Sequence, residues 1–155
     1  MANALPGILA KRVVIEAPPP PPPPVTRVWL TSTDGDGLVQ FQGDATNIYI
    51  RGTNDGVGNG WAYVYSYFTT SGSFTFDYDY QTNDGPSWDW AFYYTQPNSP
   101  VTGQTFFGNK FVVSNTYGGR FTINYNANTY VVIGVYSVDS VAGPGNLWIR
   151  NLPLV

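Results

Sequence analysis

Apolar and polar residues alternate with a period of two through most of this chain, and the apolar positions are largely aromatic. In SFTFDYDY, Phe74, Phe76, Tyr78 and Tyr80 fall on one face, and Ser73, Thr75, Asp77 and Asp79 on the other. A strand sends successive side chains to opposite faces, whereas a helix repeats its apolar positions at three and four, so such a stretch reads as a half-buried β-strand. WAYVYSYF and WDWAFYYT repeat the pattern with Trp61, Tyr63, Tyr65 and Tyr67, and with Trp88, Trp90, Phe92 and Tyr94, as the nominal core faces. RFTINY turns Phe121, Ile123 and Tyr125 inward, while YVVIGVYSV is apolar on both faces and reads as a central strand.

VWLTS, GLVQFQ, NIYIR, KFVV and LWIRNL complete a set of about ten short strands. Segments such as DGDG, NDGVGNG, NDGP, PNSP, NAN and AGPG separate them with Asn, Asp, Gly and Pro, residues that suit tight turns. No stretch carries helical periodicity. The expected fold is therefore all-β: an antiparallel, jelly-roll-like β-sandwich over residues 28–155, with a closed barrel as the alternative. Hydrophobic residues make up 43% of the chain and aromatics number 26 (5 Trp, 12 Tyr, 9 Phe), enough to build one core in spite of 17 glycines.

A different constraint governs the N-terminus. Pro18 to Pro24 is an unbroken run that joins neither a helix interior nor a sheet interior. As a polyproline II rod it spans roughly 22 Å and acts as a stiff spacer. Residues 1–17 precede it as an extended N-terminal arm. Its Leu5, Ile8, Leu9, Val13, Val14 and Ile15 have no core of their own, so they are expected to anchor in another chain.

Only 11% of residues are charged, which leaves Thr, Ser, Asn, Gln and Gly to solvate the surface. Residues 28–155 hold nine aspartates against Arg51, Lys110, Arg120 and Arg150, a balance that repels phosphate backbones and argues against nucleic-acid binding. The chain contains no Cys and no His, so disulfides, thiolate chemistry and imidazole catalysis are excluded by inventory. No stretch is apolar for the roughly 20 residues of a membrane span. Asp77, Asp79, Asp84 and Asp89 are the remaining acid/base candidates, but they read as strand and turn residues, so no enzyme and no obligate cofactor is expected.

Two binding chemistries stay open. Exposed aromatics stack on the apolar faces of sugar rings while amide and carboxylate groups fix the hydroxyls; Tyr49, Tyr93 and Trp148, opposite the nominal core faces, are the glycan candidates. Calcium takes six to eight oxygens from Asp, Asn and carbonyls; Asp34, Asp36, Asp55 and Asp84, in the DG-containing turns, are the candidate ligands, although the same residues are good turn formers.

GSFTFDYDYQTNDGPSWDWAFYY followed by GGRFTINYNANTYVVIGVYSVDSVAGPGNLWI resembles the β-sandwich domains of secreted bacterial, especially cyanobacterial, proteins of the PEP-CTERM-sorted type over about residues 72–149. That resemblance implies the sandwich fold. The N-terminal residues do not read as a convincing signal peptide, and LPLV does not read as a sorting motif with hydrophobic span and basic tail, so export by that route is not the expectation. The layout of peptide, rod and sandwich resembles instead a bacteriophage decoration protein or short fibre. It implies a structural protein on the virion surface, held to other virion proteins by its arm, with a host surface glycan as a further ligand; the low surface charge and the strands aromatic on both faces point to a homo-oligomer, a trimer. The alternative is a carbohydrate-binding module on a phage or a secreted protein.

Overall fold

A computed structural model of the chain describes residues 28–43, 45–84, 88–100, 109–110, 116–139 and 141–154. The N-terminal arm and the proline run lie outside the described residues. Ten strands follow in order: β1 (Leu30–Thr33), β2 (Leu38–Phe41), β3 (Ile48–Arg51), β4 (Gly60–Phe68), β5 (Gly72–Gln81), β6 (Asp89–Gln96), β7 (Asn109–Lys110), β8 (Thr116–Tyr125), β9 (Thr129–Ser137) and β10 (Asn146–Arg150). Among the described residues there is no helix.

The strands form two five-stranded antiparallel sheets. Sheet I has the order β1-β4-β9-β6-β7 and sheet II the order β2-β3-β10-β5-β8. Only β2 to β3 and β6 to β7 connect neighbours within a sheet; every other connection passes to the opposite sheet. The fold is thus a jelly-roll-like sandwich of two separate sheets, as the turn spacing predicts, and not a closed barrel. The turns are built as their residues suggest: Gly37 donates to the Asp34 carbonyl at 2.9 Å across a turn in which Gly35 has φ +50°. Asn128 takes φ 58° in the tight turn from β8 to β9.

Between the sheets, β5 contributes Phe74, Phe76, Tyr78 and Tyr80, joined by Ile48, Ile50, Ile123, Leu147 and Ile149 from its own sheet. Trp29, just ahead of β1, is fully buried. Its ring meets Phe68 and Phe74 edge-on at 6.2 and 5.8 Å, and its indole N–H donates to the Pro153 carbonyl at 3.1 Å. One side chain therefore ties the start of the described domain to its end.

Sheet I corrects one expectation. In β4 and β6 the larger alternating set faces away from the sandwich, and the smaller set, Ala62, Val64 and Ala91 with Phe68 and Tyr93, faces the core. Size does not choose the inward face; the volume left by the opposite sheet does. The four rings of β5 occupy the centre, so the facing strands can bring mainly small side chains. Trp61, Tyr63, Phe92, Val132 and Tyr136 instead form a second buried cluster on the outer face of sheet I, with Tyr65, Trp90, Tyr94 and Val138 packed against it. Strand β9 is consequently buried on both faces, as its sequence predicts.

Gly134 lies at the centre of this outer layer, in register with Tyr63 on one side and Phe92 on the other. A Cβ there would collide with the Ala62 carbonyl and the Tyr63 side chain. Gly134→Ala is expected to cost about 1–3 kcal/mol through overpacking. Gly119→Ala is the control, because its methyl would meet Tyr117 and Tyr78 at an ordinary 3.7–3.8 Å. Denaturant melts of the two variants check the contrast, and equal stabilities would refute the packing account.

Candidate functional site

The outer face of sheet II differs from that of sheet I in kind. Its strand register lines up Gln40, Tyr49, Trp148, Asp79 and Gly118 in one row across all five strands. A neighbouring row holds Arg150, Asp77 and Arg120. Both rows follow from alternation: once Ile48, Ile50, Leu147 and Ile149 turn inward, Tyr49 and Trp148 must turn outward.

Tyr49 and Trp148 pack side by side, ring centroids 5.2 Å apart at an interplanar angle of 33°, and both are half-buried. The Tyr49 hydroxyl donates to Asn146 Oδ1 at 2.6 Å, and Asn146 Nδ2 donates in turn to the Pro144 carbonyl at 3.0 Å. The two rings form a platform whose orientation is held by hydrogen bonds.

Charge flanks the platform in matched pairs. Arg150 Nη1 reaches Asp79 Oδ2 at 2.6 Å. Asp77 receives Arg120 Nε at 2.8 Å and Asn151 Nδ2 at 2.8 Å. These contacts, the Arg120 hydrogen bond first and that of Asn151 next, hold the Asp77 carboxyl below its ordinary range, so it stays ionised. Exposed pairs of this kind add little to stability. What they do is present fixed hydrogen-bonding groups beside an aromatic surface.

Tyr93, the third aromatic candidate, is elsewhere. It belongs to sheet I and packs toward the core, its ring 5.0 Å from that of Phe121. It moves with the inverted face of β6 and does not join Tyr49 and Trp148. The partners that alternation could not reveal are Arg150, Arg120, Asn151 and Gly118. The sequence places Asp77 and Asp79 on the polar face of β5, but only the pairing of β5 with β10 and β8 brings the arginines and Gly118 beside them.

The calcium candidates sit in loops at one end of the sandwich, where the carboxylates of Asp34, Asp36 and Asp55 bond loop backbone. Asp34 Oδ1 accepts from the Gly35 amide at 3.0 Å, Asp36 Oδ1 from the Asn54 amide at 2.6 Å, and Asp55 Oδ1 from the Val57 amide at 3.0 Å. Asp84 lies in the β5–β6 connection, its amide donating to Thr82 Oγ1 at 3.0 Å. Among the described residues no three carboxylates converge as a metal site. A hollow at the same end, lined by Gly56, Val57, Gly58, Val138, Asp139 and Val141, offers one carboxylate and no aromatic ring.

Among the described residues, Asp89 is the one buried carboxylate. It is buried, with Thr82 Oγ1 donating to its Oδ2 at 3.1 Å and Ser137 beside it in register on β9. Burial without a cation raises its pKa to about 6, opposed by the two hydroxyl groups and reinforced by the charges of Asp84 and Asp139. It therefore joins no acid/base pair with Asp77 or Asp79, which lie on the far surface of the other sheet.

No family model matches the chain, and no curated protein matches it. Among solved structures the chain is similar to a carbohydrate-binding module of Cellvibrio mixtus lichenase 5A, determined in complex with cellotriose. The two are 18% identical, with a TM-score of 0.32 over 81% of this chain and 86% of that one. A likeness of this size carries no argument; the strand pairings themselves establish the sandwich.

A raised carboxyl pKa means that the folded state binds the proton more tightly than the unfolded chain. The contribution of Asp89 is fully present below pH about 4 and is lost as pH rises through about 6, a change of about 2–3 kcal/mol. Asp89→Asn should therefore raise the melting temperature at pH 7.5 and flatten the decline between pH 4 and 7. An unchanged slope in the variant would show that Asp89 does not titrate there.

Proposed function

We propose that the sandwich is a non-catalytic carbohydrate-binding domain whose binding surface is the outer face of sheet II. The observation that carries this reading is the Tyr49–Trp148 platform, held by Asn146 and flanked by Asp79–Arg150 and Asp77–Arg120. Sugar recognition needs an apolar ring face for stacking and oriented polar groups for hydroxyls, and here both are within one strand spacing of each other. The outer face of sheet I also carries rings, with Tyr63 and Phe92 fully buried, Tyr65, Trp90 and Tyr94 half-buried and Tyr67 exposed, but among the described residues it has no carboxylate–arginine pairs beside them like those of sheet II.

Where such a domain works is a separate proposal, motivated by the seven prolines and the apolar arm before them. Both suit display from a virion, with residues 1–17 held by another virion protein, a trimeric assembly, and a glycan of the host surface as ligand. Deleting residues 1–17 should abolish incorporation into the particle, and full occupancy of the truncated protein would end that reading.

Binding itself is tested by calorimetry against neutral plant and bacterial polysaccharides. Trp148→Ala should weaken the affinity at least ten-fold, about 1.4 kcal/mol, while the far-ultraviolet spectrum stays that of the wild type. Wild-type affinity in a folded Trp148→Ala protein would refute the platform.

A further inference from the structure

Gly118 closes the row that contains Tyr49, Trp148 and Asp79, and it lies on the edge strand β8. Asp79 Oδ1 occupies the space that a side chain at this position would need, so only glycine lets the carboxylate lie toward β8. The other oxygen, Oδ2, is held by Arg150. Asp79 is thus oriented by two neighbours: Arg150 fixes one oxygen and the missing side chain of Gly118 makes room for the other.

The face also has a direction. Along β10, Trp148 is followed on the same side by Asn146, committed to Tyr49, and by Arg150, committed to Asp79; neither offers a second ring. Across the strands, Trp148 has Tyr49 on one side and Asp79 with Gly118 on the other. Three strand spacings separate Tyr49 from Gly118, roughly 14 Å, the length of about three pyranose rings. Asp77 and Asp79 are each matched by an arginine, so the face presents no surplus charge to a charged sugar. The chain as a whole is at −3, which disfavours uronates.

Building on the glycan-binding reading, we propose that the ligand is a neutral, extended, equatorially linked oligosaccharide that crosses the strands of sheet II. One ring stacks on Tyr49 and the next on Trp148, and a hydroxyl of the third ring donates to Asp79 Oδ1 above Gly118. A 1,4-linkage that is equatorial at both carbons extends successive rings as a ribbon, which a row of side chains requires, whereas an axial or a 1,3-linkage curves the chain off the surface. Gly118 is a positioning residue in this arrangement: it touches no sugar by a side chain and acts through Asp79.

The test is calorimetry of cello-, xylo- and manno-oligosaccharides of increasing length, with malto- and galacturono-oligosaccharides alongside, on wild-type protein and on Trp148→Ala, Asp79→Ala and Gly118→Ala. In the wild type, affinity should climb from disaccharide to trisaccharide in an equatorially linked neutral series and then level off. Gly118→Ala and Asp79→Ala should each lose about ten-fold on the trisaccharide, the loss expected for one hydrogen bond to a charged group, and little on the disaccharide. A melting curve confirms that each variant is folded. Asp79→Ala introduces no clash, so it keeps the test valid if Gly118→Ala is unstable.

If both variants kept the wild-type length dependence while Trp148→Ala abolished binding, the crossing direction and the role of Gly118 would be wrong and the platform would stand. Preference for malto- or galacturono-oligosaccharides would overturn the ligand class. If the wild type bound none of the series, or Trp148→Ala bound as the wild type does, the glycan-binding reading would fall and this inference with it.

Discussion

Strand β9 has no face to give to solvent, and the rest of the molecule follows from that. Val131, Ile133 and Val135 fill the space between the sheets, while Val132 and Tyr136 are buried in the aromatic layer on the other side. Its neighbours β4 and β6 must match it on both faces. They do so with small residues inward, against the four rings of β5, and large residues outward around Gly134, where the missing side chain lets Tyr63 lie close to the sheet. Burial of this apolar area, at about 25 cal/mol per Å², is the dominant favourable term in a chain with few charges and no disulfide.

Sheet I packs aromatic residues on its outer face as well as its inner one, and the proposed recognition surface is on sheet II. Its inner face is apolar, and its outer face carries Tyr49, Trp148, two carboxylates and two arginines in adjacent rows. The ion pairs on that face are too exposed to add much stability. Their geometry is nonetheless ordered, through Asn146 on one ring and through Arg150, Arg120 and Asn151 on the carboxylates. Order without a stability return is what a binding surface needs, because groups already in place lose less entropy when a ligand arrives.

Much of this was legible in the sequence because a strand's period is two and a turn's residues are few. Phe74 through Tyr80 face inward as read, β9 is central as read, and the Asp34–Gly37 turn forms where DGDG stands. Alternation reveals that two faces differ; it does not say which one meets the core, and for β4 and β6 that depended on the volume supplied by β5 from across the sandwich. Tyr93 was misplaced for this reason, while Tyr49 and Trp148, whose strands carry Ile48, Ile50, Leu147 and Ile149 on the other face, turn away from the core as read; their side-by-side packing was not legible. The rest of the site is long-range. Asp77 and Arg120 are 43 residues apart, and Asp79 and Arg150 meet only because β10 inserts between β3 and β5.

The most direct test of the account is a titration of the indole N–H resonances. Five tryptophans report on separate places: Trp29 in the core, Trp61 and Trp90 in the outer layer of sheet I, Trp88 on the surface before β6, and Trp148 on sheet II. On addition of the oligosaccharide series, the Trp148 resonance should shift and saturate, while those of Trp29, Trp61 and Trp90 stay in place. A saturable shift of Trp61 or Trp90 with Trp148 unmoved would put recognition on sheet I and contradict the division of labour between the two sheets.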